Sequence, residues 1–315
     1  MNAAGVFLLV TLPVFLSMQA PRDLVPDPPI ACSDCDAWNK PHEPFRVFGN
    51  TYYVGTAGLT SVLIASDAGL ILLDGALAQS APLIDRNIRA LGFRTQDIKL
   101  IVNSHAHFDH AAGIAALQRA SGATVAASES GARALAQGYP TDDDPQYESG
   151  RKSLRFAAAK NVQVVKDGET LRVGTLAITA HLTPGHTPGS MAWTWRSCEA
   201  SRCLDIVYAD SLTAISDDGY RFTGDATRPS IVERFRRAIA TVEQLPCDVI
   251  LSTHPSATDL DAKFARYKAQ PTVNPFVDAS GCRVYAAAAR KRLEARVAEE
   301  QKGGVQQELP VRYNR

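Results

Sequence analysis

The sequence predicts a layered α/β domain, and three observations predict it. Short strand-like apolar segments and amphipathic helical segments come in two successive groups, each mixing a meander with helices. Hydrophobic residues make up 45% of the 315 residues and no stretch is of low complexity, so a sizeable buried core is expected. No linker divides the groups, so residues 21–315 are expected to form a single domain.

The elements follow in order. Residues 6–16 (VFLLVTLPVFL) are too short an apolar run to cross a bilayer as a helix but suit the core of a secretory signal. A signal peptide over residues 1–20, cleaved near Ala20, is therefore expected, although no Lys or Arg precedes the run. The bland alternative is a buried element of the mature fold. Residues 21–44 are rich in proline and polar residues and read as an N-terminal arm rather than a packed element.

Apolar segments at 45–48, 51–54, 61–65 and 70–73 are separated by Gly49-Asn50 and Asp67-Ala68-Gly69, which predicts antiparallel strands joined by tight turns. Ile84, Ile88 and Leu91 recur at helical spacing over 81–91. Residues 98–102, apolar except for Lys99, are expected to form a short, largely buried strand, and a helix is expected over 111–119 with Ile114 and Leu117 on one face. The polar stretch 138–160 reads as a functional flap or a disordered loop. Further strands are expected at 162–165, 176–180, 190–195, 205–208 and 248–251. A helix is expected around Ile231, Phe235, Ile239 and Val242, and another over 282–301.

Charge and cysteines bound the partners. Lys plus Arg equals Asp plus Glu at 33 each, so no global field favours nucleic acid or an anionic membrane. Six cysteines (Cys32, Cys35, Cys198, Cys203, Cys247 and Cys282) are compatible with three disulfides and an oxidising compartment. Among the possible pairings, the most local set joins 32 with 35, 198 with 203 and 247 with 282, while a zinc ribbon would need a second Cys-x-x-Cys that the chain lacks.

The strongest chemical signal is His105-Ala106-His107-Phe108-Asp109-His110, directly after the 98–102 strand. In an extended backbone, side chains 105 and 107 point to one side, and Asp109 and His110 can turn toward a second point. Four nitrogen and carboxylate ligands in six residues suit two adjacent metal ions of zinc type better than one. A lone histidine there would read as loop polarity. Three with an aspartate do not. His186, in the turn-rich Thr183-Pro184-Gly185-His186-Thr187-Pro188-Gly189, and His254, after the 248–251 strand, occupy loop positions where functional side chains gather. His42 and His181 lack such contexts, and His181 suits a structural hydrogen bond.

These residues are recognisable. The H-x-H-x-D-H segment, the glycine-flanked His186, the Asp210 region and His254 resemble the metallo-β-lactamase superfamily, in order from about residue 45 to 282. Gly185-His186-Thr187-Pro188-Gly189-Ser190, Trp193-Thr194-Trp195, Tyr208-Ala209-Asp210-Ser211-Leu212, Leu245-Pro246-Cys247-Asp248-Val249 and His254-Pro255-Ser256 are most similar to class B β-lactamases of subclass B3. The resemblance implies an αβ/βα sandwich of four layers with the metals at one edge of the sheets. It implies two zinc ions, the first held by His105, His107 and His186, the second by Asp109, His110 and His254. It also implies a Cys247–Cys282 disulfide, and Ser211 in place of a cysteine ligand argues against the first class B subclass.

The implied reaction is hydrolysis of the β-lactam amide by a metal-bridging hydroxide that Asp109 helps to orient, giving resistance to these antibiotics. Ser211 and Thr213 match positions that hydrogen-bond the substrate carboxylate, with strand-end capping as the structural alternative; Gln146 and Tyr147 in the flap are weaker candidates. The expected partner is a small β-lactam, with no nucleic acid and no stable membrane association, and the expected form is a periplasmic or secreted monomer. The rival within the superfamily is a glyoxalase II-like thioesterase or a lactonase, which would need Asp210 to swing between the metals. A nuclease fits poorly with the neutral charge, and a flavin-linked di-iron enzyme with histidine at position 107. From another class, a noncatalytic periplasmic metal-binding protein would need a closed site.

Overall fold

In the computed structural model, which describes residues 23–303, the apolar segments pair into two sheets. The first takes β1 (Phe45–Phe48), β2 (Thr51–Tyr53), β3 (Val62–Ser66), β4 (Gly69–Leu73), β5 (Ile98–Val102), β6 (Thr124–Ala127) and β7 (Gln163–Val164) in that order. Its first four strands form an antiparallel meander, and from β4 onward the pairing is parallel. The second sheet runs β12 (Val249–Ser252), β11 (Arg202–Ala209), β10 (Met191–Glu199), β9 (Leu176–Leu182), β8 (Thr170–Val173), with only β11 and β12 parallel.

Three apolar cores separate the layers. Between the sheets, Phe45, Ile71, Trp193, Tyr208 and Phe276 interdigitate. On the outer face of the first sheet, Leu72, Leu100's neighbour Ile101 and Val125 meet the apolar stripes of α2 (Ala81–Ala90), α4 (Ile114–Ser121) and α5 (Glu129–Gln137). On the outer face of the second, Val207 and Ile250 meet α7 (Val232–Gln244) and α9 (Gly281–Gln301) through Phe235, Ile239 and Leu293. Each fully buried Leu, Ile or Phe contributes roughly 1.5–3 kcal/mol. The result is the four-layer αβ/βα sandwich. Strand β4 is covered on both faces, which is why it reads as a continuous apolar run rather than an alternating one, and β5 departs from that pattern only at the exposed Lys99.

Several expectations are corrected. The arm is packed: Ile30 and Cys35 are buried, Gln79 brackets Ile30 with two hydrogen bonds, and residues 35–38 form a helical turn, α1 (Cys35–Trp38). The single helix expected over 111–119 is two pieces, α3 (Phe108–Ala111) and α4, so Asp109 and His110 already lie in helical backbone. The 138–160 stretch is not structureless, because it carries α6 (Tyr147–Ser153) and a buried Asp144. β6, α5, β8 and α8 (Leu260–Ala269) were not legible. β6 is short and buried without alternation, and the buried face of α5 is mostly alanine and glycine, so its start rests on Ser128, whose Oγ accepts the Gly131 N–H.

The expected signal, residues 1–20, lies outside the described residues. Three disulfides join Cys32 to Cys35, Cys198 to Cys203, and Cys247 to Cys282. His181 makes its structural hydrogen bond, to Thr194 Oγ1 at 2.8 Å.

Candidate metal centre

The carboxyl ends of β5, β9, β11 and β12 lie at one edge of the sandwich, and each delivers a piece of one site. After β5, Asn103 and Ser104 are pinned by Asp74, the residue following β4. Asp74 Oδ1 accepts the Ser104 N–H and the Asn103 side-chain amide, both at 2.8 Å. Its Oδ2 accepts Ser104 Oγ at 2.6 Å and the Tyr208 hydroxyl at 2.8 Å. Burial pushes the Asp74 carboxyl up, against the pull of His110 and Ser104. A rigid platform under the histidine loop results.

His107 then sits in extended backbone, and its carbonyl accepts the N–H groups of His110 and Ala111 as α3 starts. That change of conformation turns Asp109 and His110 away from the direction of His105 and His107. His186 stands in the turn between β9 and β10, closed by the Thr183 N–H on Ser190 and the Gly185 N–H on Thr187. A Cβ at Gly185 would come within 2.2 Å of Phe235, so only glycine lets this turn lie against α7. His254 follows β12, where Thr253 accepts the Thr60 N–H at 2.9 Å.

All six residues expected as ligands converge. Ring centroids of His105, His107 and His186 lie 4.7–4.9 Å apart with the rings nearly perpendicular. Their ligand atoms lie within 4.8 Å of one another, and those of His105, Asp109 and His110 do the same, so His105 borders both groups. His254 completes the second group: its Nε2 is 3.4 Å from Asp109 Oδ2, and His110 Nε2 is 3.2 Å from the same oxygen. Rings 110 and 254 are 4.9 Å apart.

Each imidazole nearest the first group has one nitrogen tied outward. His105 Nδ1 donates to Asp210 Oδ1 at 2.6 Å, His186 Nδ1 donates to the Thr213 carbonyl at 2.9 Å, and His107 Nε2 donates to Asp144 Oδ1 at 3.0 Å. The opposite nitrogens are thereby left toward the common centre as lone-pair donors. His105 Nε2 is buried with no hydrogen-bond partner among the described residues. Leaving such atoms unpaired is costly unless a cation takes the lone pair.

The electrostatics agree. Burial, reinforced by neighbouring imidazoles, drives His105 and His186 well below the usual histidine range, so both are neutral. Burial opposes ionisation of Asp109, but His110 and His254 outweigh it and hold the carboxylate well below its ordinary range. Burial also lowers His107, yet Asp144 reverses the sign. Four buried carboxylates, at 74, 109, 144 and 210, share this region. The nitrogen and oxygen donors suit zinc. The residues fit the metal.

A cavity of about 240 Å³ opens on the donors, lined by His107, Asp109, His186 and His254. Ser211 and Thr213 also line it, but both have internal partners: Ser211 Oγ is 2.7 Å from Thr253 Oγ1, and Thr213 Oγ1 is 3.1 Å from His186 Nδ1. Gln146 reaches the cavity, with Nε2 3.4 Å from His107 Nδ1. Tyr147 does not line it and packs near Tyr139 under Arg151. A larger groove of about 510 Å³ lies around Asn50, Trp195 and Arg196 and contains none of these histidines.

Sequence reasoning missed Asp74, Asp144 and Trp38. The available signals were weak: a carboxylate directly after the apolar 70–73 run, and the one aspartate before proline in an acidic stretch. Asp210 stays outside the cluster of donor atoms, hydrogen-bonded to the far side of His105.

Residues 55–254 match the family model described as the metallo-beta-lactamase superfamily. Among solved structures, Rm3 metallo-beta-lactamase is 47% identical, with 86% of this chain and 99% of that one covered at a TM-score of 0.83. MEM-A1, a subclass B3 metallo-beta-lactamase isolated from a soil metagenome library, is also 47% identical, covering 85% of this chain and 100% of its own at 0.81. A curated relative, the hydroxyacylglutathione hydrolase of Cereibacter sphaeroides (strain ATCC 17025 / ATH 2.4.3), is 26% identical over 66% of this chain. The chain spans only 56% to 62% of the length of the curated relatives it matches.

Proposed function

The chain belongs to the metallo-beta-lactamase superfamily, with subclass B3 enzymes as near neighbours, and from this and the site geometry we propose that it is a zinc-dependent β-lactamase. The observation that carries the proposal is the pair of neighbouring donor groups, open to a cavity, on a fold 47% identical to two such enzymes.

His105, His107 and His186 would hold one zinc ion, and Asp109, His110 and His254 a second. Zinc, when bound, supplies Lewis acidity and lowers the pKa of water to about 7. The chain's own residues do the rest. Asp210, Asp144 and the Thr213 carbonyl fix the tautomers and ring planes of three ligands. Asp109, kept ionised by His110 and His254, presents a carboxylate that can accept a hydrogen bond from the attacking water and orient it toward the lactam carbonyl. Ser211 and Thr213, on the cavity wall, are placed to meet the substrate carboxylate, and Gln146 enters from the loop before α6. Attack opens the four-membered ring: a C–O bond forms, the C–N bond breaks, and the ring nitrogen leaves with a proton.

The thioesterase or lactonase alternative wanted Asp210 between the metals, and its carboxylate is instead engaged 2.6 Å from His105 Nδ1. A noncatalytic metal store is disfavoured by the open cavity beside the donors. We place the mature enzyme in an oxidising compartment outside the cytoplasm, supported by three disulfides; no helix among the described residues is long and apolar enough to cross a membrane. We also take it to act as a monomer on small substrates without nucleic acid. The deciding experiment follows opening of a chromogenic cephalosporin by zinc-loaded protein, with a chelator control and parallel thioester and lactone substrates. Chelator-sensitive cephalosporin turnover is expected. Its absence alongside brisk thioester cleavage would overturn the assignment.

A further inference from the structure

The N-terminal arm ends on the metal centre. Cys32 is bonded to Cys35, Cys35 opens α1, and α1 closes at Trp38. The Trp38 ring lies 5.3 Å from the His254 ring, tilted by 55°. Its carbonyl accepts the Gly58 N–H at 3.1 Å and the Thr56 hydroxyl at 2.7 Å. A Cβ on Gly58 would sit 2.4 Å from Trp38 Cδ1, so glycine is what lets the two segments touch. The Gly58 carbonyl, in turn, accepts the His254 Nδ1–H at 3.1 Å. Cys32 and Trp38 also line the cavity beside Asp109 and His254.

The short disulfide is poorly suited to global stabilisation. Closing so small a ring removes little entropy from the unfolded chain, since the gain grows with loop length. Its effect is local. A single helical turn does not hold itself together in water, and α1 depends on the Cys35 N–H to Cys32, the Trp38 N–H to Asp34 and the Asn39 N–H to Cys35. The covalent link fixes the start of that turn, and the turn fixes the indole.

We propose that the Cys32–Cys35 disulfide is a clamp that positions Trp38 against Gly58 and thereby sets the orientation of His254 and the affinity of the second metal ion. The proposal rests on the ligand assignment above. A dithiol reductant would open the clamp by giving two electrons and two protons to the pair, yielding two thiols on the protein and a cyclic disulfide on the reductant. Cys32 is half-buried at the cavity lip, within reach of such a reagent, whereas Cys35 is buried.

The test measures zinc affinity by chelator competition on the full chain, without substrate. C32S/C35S and W38A are compared with wild type and with C198S/C203S, whose disulfide lies at the β10–β11 hairpin away from the cavity. Both C32S/C35S and W38A are expected to bind the second ion about tenfold or more weakly, the usual effect of losing an outer partner of a ligand. The first ion and the C198S/C203S control are expected to be unchanged, and W38F is expected to restore affinity. W38A keeps the disulfide, so it carries the test if the double variant does not fold. Two ions on wild type with the second held within twofold by both variants would overturn the clamp alone. A wild type that binds fewer than two ions would overturn the ligand assignment and the clamp together.

Discussion

Asp144 accepts a hydrogen bond from His107 Nε2 at 3.0 Å, joining the 138–160 segment to the metal centre across 37 positions of chain. The same Oδ1 accepts the Gln146 N–H at 2.8 Å, so one buried oxygen fixes both the His107 ring and the residue that enters the cavity.

Removing that oxygen is expected to loosen both. D144A should lower kcat/KM about 10–100-fold and weaken zinc binding on the His107 side. D144N, which keeps an acceptor without the charge, should fall between. Metal analysis after dialysis, read beside steady-state rates, checks this, and a D144A protein with unchanged zinc content and rate would refute it.

The two donor groups predict different metal stoichiometries. H186A should lose the ion shared with His105 and His107 and nearly abolish cephalosporin turnover. H254A should keep that ion and lose the one beside Asp109 and His110. Counting zinc per chain in the two variants separates them. Equal stoichiometry in both would mean that the ligand sets are misassigned.

Acid stability should depend on Glu300. Its carboxylate is buried against Arg296 and accepts the N–H groups of Phe222 and Thr223. Burial pushes the carboxyl up, but Arg296 and those N–H groups outweigh it, so the folded pKa lies below the ordinary 4.5. A depressed carboxylate stabilises the fold fully above the unfolded value and loses that contribution as pH falls through the folded one. E300Q should therefore cost about 3–5 kcal/mol at neutral pH, because the buried Arg296 charge loses its carboxylate and keeps only neutral acceptors, Ser216 Oγ and the Tyr220 carbonyl. The gap from wild type should narrow below pH 4.5. A gap that stays constant from pH 7 to pH 3 in urea titrations would sink this account.

The disulfides should rank by the loop they close. Cys247 and Cys282 are 35 residues apart and tie the end of α7's connection to the start of α9, while Cys198 and Cys203 are 5 apart. Loop-entropy estimates give about 4 kcal/mol for the former and about 2 kcal/mol for the latter. Denaturation midpoints of C247S/C282S and C198S/C203S should show that order, and a larger loss from the hairpin pair would contradict it.

Much of the architecture was legible because its signals are local. The 98–102 run, apolar except for Lys99, and the polar boundary after it set β5 and its loop within one stretch of chain. Helix α7 declared itself by Phe235, Ile239 and Val242 on one face. Where burial covers both faces or the buried face is mostly alanine, as in β6 and α5, periodicity carries little information and those elements went unread. The arm failed for another reason: proline-rich composition marks irregular backbone, but irregular backbone can still be packed, as Ile30 and Cys35 are.

By itself the sequence determined the chemistry available: which six side chains offer nitrogen and carboxylate donors, and that they follow strand ends where loops gather. Only the tertiary structure decided how those donors are presented. Asp210 lies 105 residues from His105, Asp144 37 from His107, and Gly58 196 from His254, and each selects the nitrogen that its histidine turns outward. A residue's type fixes what it can bind, whereas its tautomer, ring plane and charge are set by partners that only folding brings within hydrogen-bond reach.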